Sequence, residues 1–326
     1  MDIITKLLPL VFSANFLNSV VRVSTPLILC AMAACIGRQA GVQTITYEGM
    51  MLLAAFAGNL ATSFTNTLVG GIIVGLLASI GIALFYGYFH IYLDTYDTLL
   101  GIAINNFVRY FTIFMLFVLI GRKADSSTIP SHSYPVINIP FINKIPIIGT
   151  IFSGQSLVTY IAIISVFVAH FIVYKSKLGL RVRSVGHNPE AAESLGINVK
   201  RTRMIALLLS GIFAGFGGQY MSMAYISFFT KNMVSGRGFI GIAASNLALG
   251  RPLYGFLYAL MFAVSQVIAN QMQLLQMDYQ FANMIPYIVT IIGLCITGSA
   301  ELRKEKFGGK AKDDKKKKSA EVKEAN

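Results

Sequence analysis

The chain has 326 residues, of which 55% are hydrophobic and only 13% charged, and its mean hydropathy is +0.65. This excludes an ordinary soluble domain, because a membrane span needs about 20 apolar residues and the chain offers many such runs. The net charge of +13 sits in loops and in the tail rather than on one folded face, which fits the positive-inside bias and argues against nucleic-acid binding.

In chain order the apolar runs predict an all-α polytopic membrane protein with about nine transmembrane or re-entrant helices, near 13–36, 48–64, 67–92, 98–121, 156–174, 204–224, 236–250, 253–273 and 283–300. The first run follows Lys6 but is interrupted by Asn15, Asn18 and Arg22. No small-residue cleavage site follows it, so a removable signal peptide is not expected. The second and seventh runs are short and rich in Gly, Ala, Ser and Asn, the composition of broken or re-entrant helices that line a cavity. Residues 122–155 carry Pro130, Pro135, Pro140 and Pro146 and read as an ordered cap or an irregular connection. Lys175, Lys177, Arg181, Arg183, Lys200, Arg201 and Arg203 put segment 175–203 in the cytoplasm, with the C-terminus on the same side and 122–155 outside. Arg122 and Lys123 oppose that orientation and are outweighed. Residues 1–300 form the membrane domain, and the tail 301–326 reads as disordered, its run Lys315-Lys316-Lys317-Lys318 attracting anionic membrane lipid.

Within 175–203 lies a short acidic, alanine-rich helix with both ends punctuated. Asn188 is a good N-cap, Pro189 suits the first helical position, and Glu190, Ala191, Ala192 and Leu195 lead to Gly196, which takes the left-handed stop. A helix this short needs a partner, since isolated helices below about 12 residues are marginal in water.

Several familiar motifs fail. Gly236-Arg237-Gly238-Phe239-Ile240-Gly241 fits GxGxxG, but no strand precedes it and no acidic residue stands about 20 positions on. No GxxxxGK[ST], HExxH or GxSxG occurs, so the chain has no phosphate loop and none of the commonest hydrolase signatures. His90 and Asp94 read as an end-of-helix ion pair rather than a metal site. Cys30, Cys35 and Cys295 lie in apolar runs with no CxxC spacing, and read as core residues. Gly71xxxGly75 and Gly211xxxGly215 read as close helix packing.

Polar residues inside apolar spans mark a solute pathway, because burying them in lipid costs kilocalories unless a cavity or a partner receives them. Glu48 opens the second span, Asn105, Asn106 and Arg109 interrupt the fourth, and Asn232, Arg237, Gly238 and Asn246 surround the seventh. Gly236 and Gly238 would let backbone approach a solute and leave N–H groups free to bond it. Two readings stand for each group. Asn105 and Asn106 face the cavity or join helices, and Arg237 contacts solute or anchors its span at the outer headgroups.

The runs Tyr47-Glu48-Gly49-Met50-Met51-Leu52, Gly179-Leu180-Arg181 through Pro189-Glu190-Ala191-Ala192, Ser210-Gly211 to Gly217-Gly218, and Asn232-Met233-Val234-Ser235-Gly236-Arg237-Gly238-Phe239 resemble the permease subunits of bacterial ABC importers for nucleosides and simple sugars, of the branched-chain amino acid and ribose-like permease type. The resemblance spans most of 20–300 and departs from the family pattern at Thr44-Ile45-Thr46-Tyr47 and in the charged tail. It implies a subunit of the cytoplasmic (inner) membrane with no cofactor or ATPase site of its own. ATP would be bound by a cytoplasmic ABC ATPase, beside a second permease subunit and an external solute-binding lipoprotein. Asn188 to Gly196 would be the coupling helix in the ATPase cleft. Nucleosides are the implied substrates, with a pentose or hexose as the alternative. An ion-coupled secondary carrier is the alternative from another class, and the near absence of mid-span carboxylates argues against it.

Overall fold

The computed structural model describes residues 13–138 and 153–274, together with Met284, Ile288, Val289, Ile291, Gly293 and Cys295. Its helices are α1 (Ala14–Gln39), α2 (Tyr47–Thr65), α3 (Leu68–Gly87), α4 (Asp97–Ile120), α5 (Leu157–Tyr174), α6 (Lys177–His187), α7 (Pro189–Ser194), α8 (Val199–Tyr220), α9 (Arg237–Leu247) and α10 (Pro252–Leu274). A π turn at Tyr88–Tyr92 extends α3 and another at Met221–Tyr225 extends α8. The all-α expectation holds except for a two-residue ribbon between α4 and α5, where β1 (Val136–Ile137) pairs antiparallel with β2 (Gln155–Ser156).

Among the described residues six helices are long and apolar enough to cross a membrane: α1, α3, α4, α5, α8 and α10. Of the nine expected transmembrane or re-entrant runs, the first eight are helices among the described residues. The second and seventh runs are helices of 19 and 11 residues that do not join those six, and most of 283–300 lies outside the described residues, as does the tail 301–326.

Helix α1 is the hub. It packs against α8, α10, α9 and α5, and Leu27 through Ala33 are all buried. Ser13 caps it, accepting from Phe16 N, and it continues through Pro26. Helices α2 and α3 form a hairpin whose turn places Asn66 in the left-handed region, while Thr67 caps α3 by accepting from Gly70 N. A Cβ on Gly71 would meet the side chain of Thr62 and the carbonyl of Gly58, so small residues let α2 and α3 touch backbone to backbone. By contrast α3 and α4 expose Val69, Ile73, Leu77, Phe107, Tyr110 and Phe114, a surface suited to lipid or another apolar partner.

The described part of the loop after α4 is tied down. Asp125 bridges to Thr230, Ser126 Oγ donates to Asn59 Oδ1 at 2.8 Å, and Tyr134 OH donates to Gln219 Oε1 at 2.8 Å. The Ser127 hydroxyl and N–H, with Arg122 at 3.5 Å, hold the Asp125 carboxyl below the usual carboxylate range. That ion pair, and Lys123 over the Phe117 ring at 5.0 Å, engage the two cations that opposed the orientation. At the opposite end His90 Nδ1 meets Thr95 O at 3.2 Å rather than Asp94. Asp94 has a φ of 53°, which turns the chain before α4 and removes the helical i,i+4 geometry the expected ion pair requires. Cys30 and Cys35 are buried as expected, whereas Cys295 is exposed.

Candidate functional site

Helices α2 and α9 both begin partway through the bundle. Tyr47 OH, at the start of α2, points to Ala33 O on α1, and Gly238, at the start of α9, offers its carbonyl to Cys30 Sγ at 3.4 Å. Both partners sit in the buried middle of α1. Neither helix is capped by its own N-cap side chain. The caps come from other helices. Asn105 of α4 accepts from Gly49 N at 2.9 Å and donates to Ile45 O at 2.9 Å, which fixes the start of α2. Glu48 accepts from Gly236 N and Gly238 N, both at 2.8 Å, which fixes the start of α9. Two positive helix ends are thereby held together at mid-depth.

A cavity of about 210 Å³ opens at this junction, lined by Glu48, Gly49, Leu52, Asn105, Asn106, Arg109, Asn232, Ser235, Gly236 and Phe239. Asn105 and Arg109 lie about 12 and about 18 Å along α4 from Asp97, at 1.5 Å per residue. The chain before α9 is sharply broken, with φ of 55° at Asn232, 46° at Ser235 and 84° at Gly236. Such left-handed positions concentrate where a surrounding structure enforces them. Asn106, Arg109 and Phe239 are exposed, so the cavity is open to the flank of the chain.

Five of the eight residues marked in the sequence, Glu48, Asn105, Asn106, Arg109 and Asn232, therefore line one cavity. The other three do not. Arg237 folds back, and its Nη1 donates to Met233 O and Val234 O, both at 3.1 Å. Its guanidinium staples the break. The Gly236 and Gly238 N–H groups expected to be free are taken by Glu48, and a Cβ on Gly238 would stand 2.6 Å from Glu48 N. Asn246 lies at the far end of α9, accepting from Arg38 and, at 3.4 Å, from Gln43 Nε2. Eleven residues carry α9 only about 16 Å, which separates its two ends.

Ser235 and Phe239 were missed in the sequence because neither is unusual in an apolar run. Asn59 and Gln219 were missed although they give the same signal as Asn105. Both are buried inside helices and both bond the loop after α4.

Within segment 175–203, α7 is built as its sequence requires. Asn188 Oδ1 accepts from Ala191 N at 3.0 Å, Pro189 opens the helix, and Gly196 has a φ of 79°. Gly196 N donates to Glu193 O and Ile197 N to Ala192 O, which closes the C-terminus. Ala192 is buried against the rest of the fold, Glu190 and Ala191 are exposed, and Leu195 is 79% exposed. No group of three or more His, Cys, Asp or Glu that could hold a metal occurs among the described residues.

Comparison with known proteins agrees with this architecture. The chain is 34% identical over 282 residues to the guanosine ABC transporter permease protein NupQ of Bacillus subtilis, covering 83% of this chain and 88% of that protein. It is 30% identical over 289 residues to the nucleoside ABC transporter permease protein NupC of Lactococcus lactis, covering 84% and 89%. It is 28% identical over 301 residues to the putative glucose ABC transporter permease protein TsgC13 of Haloferax volcanii, covering 86% and 90%. No solved structure matches. Residues 16–294 match the family described as the branched-chain amino acid transport system permease component, and the chain belongs to that family of multi-pass ABC transporter permeases.

Proposed function

We propose that this permease translocates nucleosides through the cavity at the junction of α2 and α9. The observation that carries the reading is the cavity itself: walled in part by Asn106, Arg109 and Asn232, set midway along α4, and flanked by two helix N-termini whose caps come from other helices. Asn106 and Arg109 supply amide and guanidinium donors for base carbonyls and ribose hydroxyls, and Phe239 supplies an aromatic face on which a base can stack. Glu48 and Asn105 act as positioning residues, because their oxygens are committed to backbone N–H groups. The relatives named for guanosine and nucleosides support this substrate class. The relative named for glucose supports a simple sugar as the second reading.

A volume of about 210 Å³ is below the roughly 300–1,000 Å³ of a complete small-molecule pocket. The opening beside Asn106 and Arg109 fits a second permease subunit that completes the passage. Helix α7, with its exposed Leu195, Glu190 and Ala191, is the element offered to a cytoplasmic ABC ATPase, which binds the ATP, while an external lipoprotein delivers solute. The chain then holds no cofactor and performs no hydrolysis. It sits in the cytoplasmic membrane with its C-terminus inside.

Uptake of labelled guanosine by cells carrying this chain and its partner subunits tests the reading. Phe239→Ala and Asn106→Ala are expected to lower uptake at limiting substrate about tenfold each, for a contact of about 1–2 kcal/mol, while the complex still assembles. Uptake that unlabelled glucose or ribose suppresses and unlabelled nucleosides do not would give the sugar reading the place of the first.

A further inference from the structure

Away from the passage a second cavity, of about 550 Å³, opens at the cytoplasmic end of the bundle between α1, the α5–α6 corner and the α9–α10 turn. Arg38, Arg183, Arg251 and His187 line it together with Tyr174, and no carboxylate is among its walls. Among the described residues the one ion pair is Arg122–Asp125 at the other end of the molecule, so none of these three guanidinium groups has an acidic partner. Arg183 is held over the Tyr174 ring, its Cζ 5.1 Å from the centroid, and its Nε is buried with no hydrogen-bond partner. Arg38 is fixed by Asn246 and by the close packing of Gly250, whose added Cβ would stand 3.2 Å from Arg38 Cδ.

Such an arrangement needs an anion. Unpaired buried donors are costly, and rigid guanidinium forks suit the oxygens of a phosphate. The apolar surroundings say where that phosphate comes from. Leu249, in the cavity wall, is 44% exposed, and Leu253 and Leu257, one turn apart on α10, are 43% and 58% exposed. An exposed leucine stripe thus runs from a basic pocket at the membrane boundary toward the bilayer, which matches a charged headgroup followed by acyl chains.

We propose that this cavity binds the phosphodiester headgroup of an anionic phospholipid from the inner leaflet. Arg183 and Arg251 contact the phosphate, Arg38 shapes the floor, and the Leu253/Leu257 stripe receives the chains. The site is separate from the lysine-rich tail and gives the permease a lipid requirement that does not depend on it.

The test uses the full-length importer complex purified in mild detergent, with thermal melting followed during titration by phosphatidylglycerol, phosphatidylcholine or inorganic phosphate. Phosphatidylglycerol is expected to raise the melting temperature at concentrations where phosphatidylcholine does not. Arg183→Gln and Arg251→Gln each weaken the effect about fivefold, the ratio for about 1 kcal/mol per basic residue. Arg183→Lys, which keeps the charge and loses the planar fork, falls between the unsubstituted protein and Arg183→Gln, and deletion of 309–326 leaves the effect within about twofold. Exposed Arg251 guards against a folding defect in the Arg183 variant. Equal protection by inorganic phosphate would make the occupant a soluble anion and overturn the lipid assignment. So would a phosphatidylglycerol preference that survives the double Gln variant or disappears with the tail. A double variant that sheds the ATPase while keeping its lipid preference would reassign the cavity to protein docking.

Discussion

Glu48 shows how one side chain can fix a helix end that belongs to another element. Its two oxygens satisfy both orphan N–H groups at the start of α9, and those groups have no water to fall back on inside a membrane. Glu48→Ala is therefore expected to lower the stability of the purified protein by roughly 2–4 kcal/mol, from two unmade bonds at about 1–2 kcal/mol each. Glu48→Gln keeps one acceptor and falls between. Unchanged melting of the Ala variant would contradict this role. Arg237→Ala removes two bonds to the turn carbonyls and is expected to cost about 1–3 kcal/mol of stability with little change in the substrate concentration for half-maximal uptake. A large rise in that concentration at normal melting would instead put the guanidinium in the passage. The sequence marked both residues correctly as unusual. It could not say which partner each one takes, because a lone charge in an apolar run is equally explained by a solute and by a backbone terminus.

At the scale of elements, α7 and the α2–α9 junction respond differently to mutation. Helix α7 is six residues long and fixed at both ends, so its caps were readable from Asn188, Pro189 and Gly196 alone. Gly196 has a φ of 79°, and a Cβ there meets nothing within 4 Å. Gly196→Val should therefore cost only backbone strain, about 1–2 kcal/mol, too little to unfold the protein. With Glu190→Lys it is expected to uncouple ATP hydrolysis from uptake in a normally assembled complex. Normal uptake by both variants would remove α7 from the coupling pathway. Gly238 is the opposite case. Its Cβ would enter the backbone of Glu48, so Gly238→Val pries α2 from α9 and is expected to reduce the yield of folded complex, not merely to plug a folded one. Gel filtration of the variant distinguishes the two outcomes.

For the molecule as a whole, the exposed apolar faces of α3 and α4 and the basic groups at the α6–α7 end predict one orientation by the positive-inside bias. A maleimide-labelling scan from outside intact cells is expected to reach cysteines placed at 127 and 131 and to miss those at 181 and 195. The reverse pattern would invert the protein in the membrane. Deleting residues 309–326 is expected to leave uptake nearly unchanged, since each basic residue there contributes at most about 1 kcal/mol of screened attraction to an anionic surface. A large loss at normal expression would assign the tail a specific partner.

Hydropathy and cap residues by themselves determined the membrane class, the locations of the main helices and the punctuation of α7, because each depends on residues adjacent in sequence. What only the tertiary structure decided is pairing across the chain. Glu48 meets residues 188 and 190 positions away, Arg38 meets Asn246 across 208, and Asn105 meets Gly49 across 56. The two short helices could be recognised as broken from their glycine and asparagine content. That their broken ends meet, that Glu48 of α2 caps α9 while Asn105 of α4 caps α2, and that the junction opens a shared cavity with α4 follow from how α1 gathers α8, α9 and α10 around itself, a packing decision that no local pattern encodes.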